Sequence, residues 1–137
     1  MTPLNPTLSL AQARAMTERA IAAADAMHVS CSVAVTDASG GLLTFLRHDG
    51  AFPGSVELAI DKAFTAAIFD AGTDALAVLA QPGAELFGIQ HSHGGRVVVF
   101  GGGVPIRIDG RIVGAVGVSG GTVAEDVAIA EAAAAVF

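Results

Sequence analysis

Apolar residues recur along the chain with two different periods, and each change of period marks an element. Leu10, Ala13, Met16, Ala20 and Ala24 fall three or four apart, which predicts the inner face of a helix running to about Met27. Ser9-Leu10-Ala11-Gln12 opens it as a capping box, with a hydroxyl for the N-cap and a Gln three residues on to reach back. Cys31–Thr36 and Leu42–Leu46 are short apolar runs around the turn Asp37-Ala38-Ser39-Gly40-Gly41, the pattern of a β-hairpin. The polar stretch from Arg47 to Gly54 follows as a loop, and then a second helix from about Ser55 to Phe69.

Residues 73–80 predict a short third helix, stopped by Gln81-Pro82-Gly83. Residues 84–95 show no clear period and end in His91-Ser92-His93-Gly94-Gly95. Three strands are expected next: Arg96–Phe100, Val104–Ile108 and Ile112–Val118. Asp109-Gly110 is the two-residue turn between the last pair. Thr122-Val123-Ala124-Glu125 is a second capping box, opening a helix that runs nearly to Phe137. The order α-β-β-α-α-β-β-β-α predicts an α/β (α+β) domain over residues 1–137, a five-stranded, mostly antiparallel sheet covered by helices.

Composition narrows the partners. Apolar residues make up 53% of the chain but aromatics only 5%, so the core is built from Ala, Val, Ile and Leu with seven Phe as large fillers. Charged residues are only 15%, too few for a lone monomer to cover itself with polar surface, so a homo-oligomer is expected. The net charge of −6, with one Lys and six scattered Arg, gives no positive stripe for a nucleic acid or an anionic membrane. No run reaches the ~20 apolar residues of a membrane helix. The first residues lack the basic and apolar regions of a signal peptide, and the chain reads as cytoplasmic. Cys31 is the only cysteine, which excludes a disulfide framework and reads as a buried packing group.

Candidate chemistry rests on few residues. Lys62, the only lysine, falls mid-helix among Leu58, Ala59, Ala66 and Phe69. Such a residue is either an anion clamp or activated amine, or half of an ion pair with Asp61, Glu57 or a neighbouring subunit. Gly101-Gly102-Gly103 leads into a strand, so it is no dinucleotide fingerprint. It offers close backbone approach to a ligand or a subunit, or simply a wide turn. Ser119-Gly120-Gly121-Thr122 precedes a helix, where free amides favour a carboxylate, although Thr122 already has a role as N-cap. His91 and His93, on one face if extended, have a spacing that suits two imidazole ligands of a divalent transition metal, with His48 as a third. Exposed loop histidines are the plainer reading. His28 reads as a cap at the end of the first helix. Glu57 and Asp61, four apart, read as a solvated stripe, and Arg47 and Arg96 are free to meet carboxylates.

Four blocks resemble the GlcG/HbpS-like family, which includes the C-terminal domain of PduO-type proteins. They are Leu8-Ser9-Leu10-Ala11-Gln12-Ala13; the hairpin Val33–Asp49; Asp61-Lys62-Ala63; and Gly102-Gly103-Val104-Pro105 through Gly114-Ala115-Val116-Gly117-Val118-Ser119-Gly120-Gly121-Thr122. The resemblance implies profilin-like α-β-α layering around a five-stranded antiparallel sheet, an oligomer, and haem or a similar carboxylated small molecule as ligand. Three features set this chain apart: Arg47-His48-Asp49 where many relatives carry Arg-Met-Asp, Phe64 where a basic residue is common, and the pair His91 and His93. The expected binding site gathers Lys62, Gly102, Gly103, Ser119, Gly120, Gly121 and Thr122, with a histidine on iron. The alternative is an enzyme using His48 and Lys62, or a metal held by His48, His91 and His93, to isomerise, hydrate or hydrolyse a small oxygenated or aromatic acid.

Overall fold

The structure, a computed structural model, describes residues 6–135. Its elements in chain order are α1 (Leu10–Ala26), β1 (Ser32–Asp37), β2 (Leu42–Arg47), α2 (Ser55–Phe69), α3 (Thr73–Leu79), β3 (Gly103–Ile108), β4 (Arg111–Ser119) and α4 (Val123–Ala134). Two single 3₁₀ turns, Ile89–His91 and His93–Gly95, stand between α3 and β3. Both capping boxes form: the Ser9 hydroxyl accepts from Gln12 N–H, the Thr122 hydroxyl from Glu125 N–H, and each N3 side chain accepts in return from the cap's own N–H.

Four strands form one antiparallel sheet in the order β2-β1-β4-β3. The expected strand over 96–100 does not exist. Val97 and Val98 are buried as a strand's residues would be, but Val98 N–H donates to Thr65 Oγ1 on α2. The segment is a loop laid along the helix, and the edge of β3 away from β4 has no ladder partner among the described residues. Residues 136 and 137, where the last helix was expected to end, lie outside those described.

The two faces of the sheet are furnished differently. Val33, Val35, Val116 and Val118 point to one face and form the main core with Met16, Ala20 and Ala24 of α1 and Ile129, Ala130 and Ala133 of α4. The alternate positions Ser32, Ala34, Thr36, Ala115, Gly117 and Ser119 point to α2. There Ala59, Ala63, Ala66 and Ala67 meet the sheet. Gly117 allows this: a Cβ on it would stand 2.1 Å from the Ala59 carbonyl oxygen and 2.5 Å from Ala63 N. No described helix is long and apolar enough to cross a membrane.

Candidate functional site

The middle helix, the triple-glycine bend and the Ser-Gly-Gly corner meet at the buried Lys62 side chain. Lys62 is the largest fully buried side chain, and its Nζ donates to the Val118 carbonyl at 2.8 Å and to Asp126 Oδ2 at 3.3 Å. Val118 faces β3, since its N–H donates to Gly102 O at 2.9 Å. The ladder ends there, and the ammonium occupies the place where a further strand residue would have met the Val118 carbonyl. Gly102 (φ +128°) makes room, because a Cβ would lie 2.7 Å from Nζ. The Phe100 ring covers the ammonium, with its centroid 4.8 Å from Nζ.

Asp126, in the first turn of α4, completes the junction. Its Oδ1 accepts from Gly121 N–H at 2.9 Å while Oδ2 takes Lys62. Burial pushes the Lys62 amine down and the Asp126 carboxyl up, and each partner's charge opposes the shift of the other. The ion pair expected for Lys62 is therefore present, with Asp126 and not Asp61 or Glu57 as partner. Its ammonium has no exposed surface. The corner amides are also engaged, Gly121 with Asp126 and Thr122 with Glu125. Gly103 N–H donates to Thr73 Oγ1. The sequence signal for Asp126 was weak: an acid in a helix's first turn has a sufficient role with the helix dipole.

The histidines do not assemble. His48 leaves β2 with both ring nitrogens engaged, Nδ1 accepting from Cys31 N–H at 2.9 Å and Nε2 meeting Asp25 Oδ1 at 2.9 Å. His91 and His93 are not on one face of an extended segment, because they fall in two separate 3₁₀ turns, Ile89–His91 after Gly88 at φ 101° and His93–Gly95 with all three residues at positive φ. Among the described residues no group of three or more His, Cys, Asp or Glu side chains is placed to hold a metal, so the site of His48, His91 and His93 does not form. His28 lies one residue past the Met27 cap at φ 56°.

His93 has an aromatic setting that sequence reading missed. Its ring meets Phe64 and Phe69 edge-on, with centroids at 6.0 and 5.6 Å. The Arg96 guanidinium lies 3.7 Å from the centroid of the same Phe64 ring, and its Nε donates to Asp61 Oδ1 at 3.1 Å. A cleft of about 490 Å³ opens beside them, lined by Glu57, Ile60, Asp61, Gly94, Gly95 and Arg96.

Residues 8–135 match the haem degrading protein HbpS-like family. A 15.0 kDa protein in the dhaT-dhaS intergenic region of Citrobacter freundii is 41% identical over 127 residues, 93% of this chain and 89% of that one. The crystal structure of a PduOC:heme complex superposes with a TM-score of 0.91 at 37% identity, covering 96% of this chain and 95% of the other. A double mutant of Streptomyces reticuli HbpS superposes with a TM-score of 0.90 at 33% identity, over 99% and 90%. With the family match running over residues 8–135 and relatives similar over nearly the whole chain, the chain belongs to the haem degrading protein HbpS-like family.

Proposed function

We propose that the protein binds haem, or a flat carboxylated ligand of similar chemistry, as a homo-oligomer. The observation that carries this reading is the near-complete superposition on a relative crystallised with haem, at 37% identity. The residues present fit such a ligand. His28, His91 and His93 are exposed imidazoles, whereas both nitrogens of His48 are engaged. Haem, if bound, would bring an iron that one of these imidazoles could hold and two propionates that would need cationic or N–H partners.

Those anionic groups do not need Lys62, whose ammonium is held by Asp126 and Val118; the Lys62 junction instead fixes the middle of α2 against α4. Arg96, which commits only its Nε, is the better propionate partner. Exposed Leu10, Val78, Leu79 and Phe87 supply the apolar surface that a subunit contact would cover.

Haem titration followed by visible absorbance tests the binding. A saturable Soret shift at a fixed ratio of haem to chain is expected, and its absence at micromolar protein sinks the reading. Light scattering on the same sample should give a mass of two or more chains.

A further inference from the structure

Resting on the homo-oligomer of the proposed function, we infer that the open edge of β2 is a subunit interface, where a second copy of this chain adds its own β2 antiparallel across a twofold axis. The two edges of the sheet differ in what they leave unpaired. On β3, Val118 N–H donates to Gly102 O, so the alternate residues Gly103 and Pro105 turn their backbone outward. Gly103 N–H is taken by Thr73 Oγ1 and Pro105 has none, so that edge offers little to a further strand. On β2, His48 N–H donates to Cys31 O at 2.9 Å, which turns the backbone groups of Phe45 and Arg47 away from β1. Neither residue's N–H has a partner among the described residues. From Thr44 to Leu46 neither a proline nor a charge blunts this edge. Leu43 is an extra residue between the pairs Thr36–Leu42 and Val35–Thr44, so the stretch free to pair regularly is Thr44–Arg47.

The side chains along that edge suit a copy of themselves. Leu46 pairs with Val33 and so lies on the α1 face of the sheet, yet it is 47% exposed, and Leu10 at the start of α1 is 58% exposed. Both line a cleft of about 370 Å³ together with Arg14, Glu18 and Thr44. Leu10, Arg14 and Glu18, four apart, form one row along α1, and neither charge belongs to an ion pair among the described residues. A bond of 2.7 Å between the Thr17 and Thr44 hydroxyls ties this part of α1 to β2.

A twofold axis normal to the sheet sets the two α1 helices side by side in opposite senses. Because α1 packs on β1 and β2 alike, its own axis lies one strand spacing, about 4.8 Å, from that twofold. The two helices then stand about 10 Å apart, the separation of packed helices. Arg14 of one protomer meets Glu18 of the partner subunit, and Glu18 meets the partner subunit's Arg14. The row carries its own complement. Leu10 and Leu46 lose their contact with water in the same step.

Light scattering on the full chain tests this, with circular dichroism confirming the fold of each variant. Glu18→Arg and Arg14→Glu each place two like-charged pairs across the axis. Each should weaken the association at least about 100-fold and leave a species of half the wild-type mass or less. Mixing the two variants should restore the wild-type mass, because every Arg then faces a Glu; damage to the fold of either could not be repaired this way. Leu46→Lys, which puts a charge on the edge strand itself, should dissociate likewise. Hydrogen exchange reads the backbone: the Phe45 and Arg47 amides should be slow in the wild-type oligomer and fast in Leu46→Lys. If wild type is an oligomer but both charge variants keep its mass, or these two amides exchange fast, the β2 interface is overturned and the homo-oligomer stands on another face. Variants that dissociate but do not recombine on mixing overturn the twofold pairing. If wild type is a single chain, this interface and the homo-oligomer fall together, while haem binding is decided by its own titration.

Discussion

The two faces of the sheet solve the burial problem in opposite ways. Toward α1 and α4 the strands present Val33, Val35, Val116 and Val118, and the helices answer with Met16 and Ile129, so branched and long side chains fill the space between layers. Toward α2 the same strands present Ser32, Ala34, Thr36, Ala115 and Gly117, and the helix answers with alanines. Space there is not filled but removed, because backbone meets backbone. The close face carries the Ser32 and Ser55 hydroxyls, bonded at 2.8 Å, and Thr36 Oγ1, buried without a partner among the described residues, whereas the buried hydroxyl of the filled face, Thr17, is paired with Thr44 at 2.7 Å. Lys62 belongs to this helix too. A layer this near the sheet has few apolar atoms to spend, so its position depends on specific polar contacts.

That contrast predicts opposite sensitivities to one carbon atom. Gly117→Ala puts a methyl 2.1 Å from the Ala59 carbonyl oxygen, which no rotamer relieves, and α2 must move bodily. We expect a loss of about 3 kcal/mol or more in urea unfolding, at or beyond the upper end of the cost of overpacking. Ile129→Val, one carbon removed from the filled face, should cost only about 0.5–1.5 kcal/mol. Equal losses from the two would show that the faces do not differ as described.

The Lys62–Asp126 pair sharpens the comparison, because it ties the close layer to the filled one. Lys62→Met leaves Asp126 buried with a reduced donor set, and Asp126→Leu leaves an ammonium without its counter-ion. Each single change should cost about 3–5 kcal/mol, and the double variant much less than their sum, since the penalty of an unpaired buried charge disappears with its owner. Additive losses in a double-mutant cycle would mean that the two side chains act independently.

How much of this was legible in the sequence follows from the range over which each signal acts. Both helix starts were readable because Ser9 with Gln12 and Thr122 with Glu125 are complete local devices. So was the β3–β4 turn, where Asp109 and Gly110 both take positive φ. The strand expected at Arg96–Phe100 failed because an apolar run shows burial, not pairing; Val97 and Val98 are buried against α2 without joining the sheet. Convergence of Lys62 with the glycine bend and the Ser-Gly-Gly corner was anticipated, but its partner was not, since Asp126 stands 64 residues away. His91 and His93 were noticed for their spacing. What distinguishes His93 is its contact with two phenylalanines from α2, which spacing does not reveal.

The smallest effect concerns Cys31, on the filled face, and separates burial from reactivity. Burial, with Asp126 and Asp25 adding like-charge pressure, pushes its thiol from the ordinary 9.0 up to about 12. The folded chain therefore keeps this proton over a pH range in which the unfolded chain loses it. Stability from this group is intact below pH 9 and falls as pH rises from about 9 to about 12, with no contribution to pH dependence near neutrality. The thiolate is also the reactive form, so the native thiol should resist maleimide at pH 8 and react promptly once urea unfolds the chain. Cys31→Ala should remove that part of the alkaline slope and add a loss of about 1 kcal/mol, the same at every pH, from the missing core sulfur. Prompt labelling of the native protein at pH 8 would mean that the filled face opens at the end of β1, where the densest packing is expected.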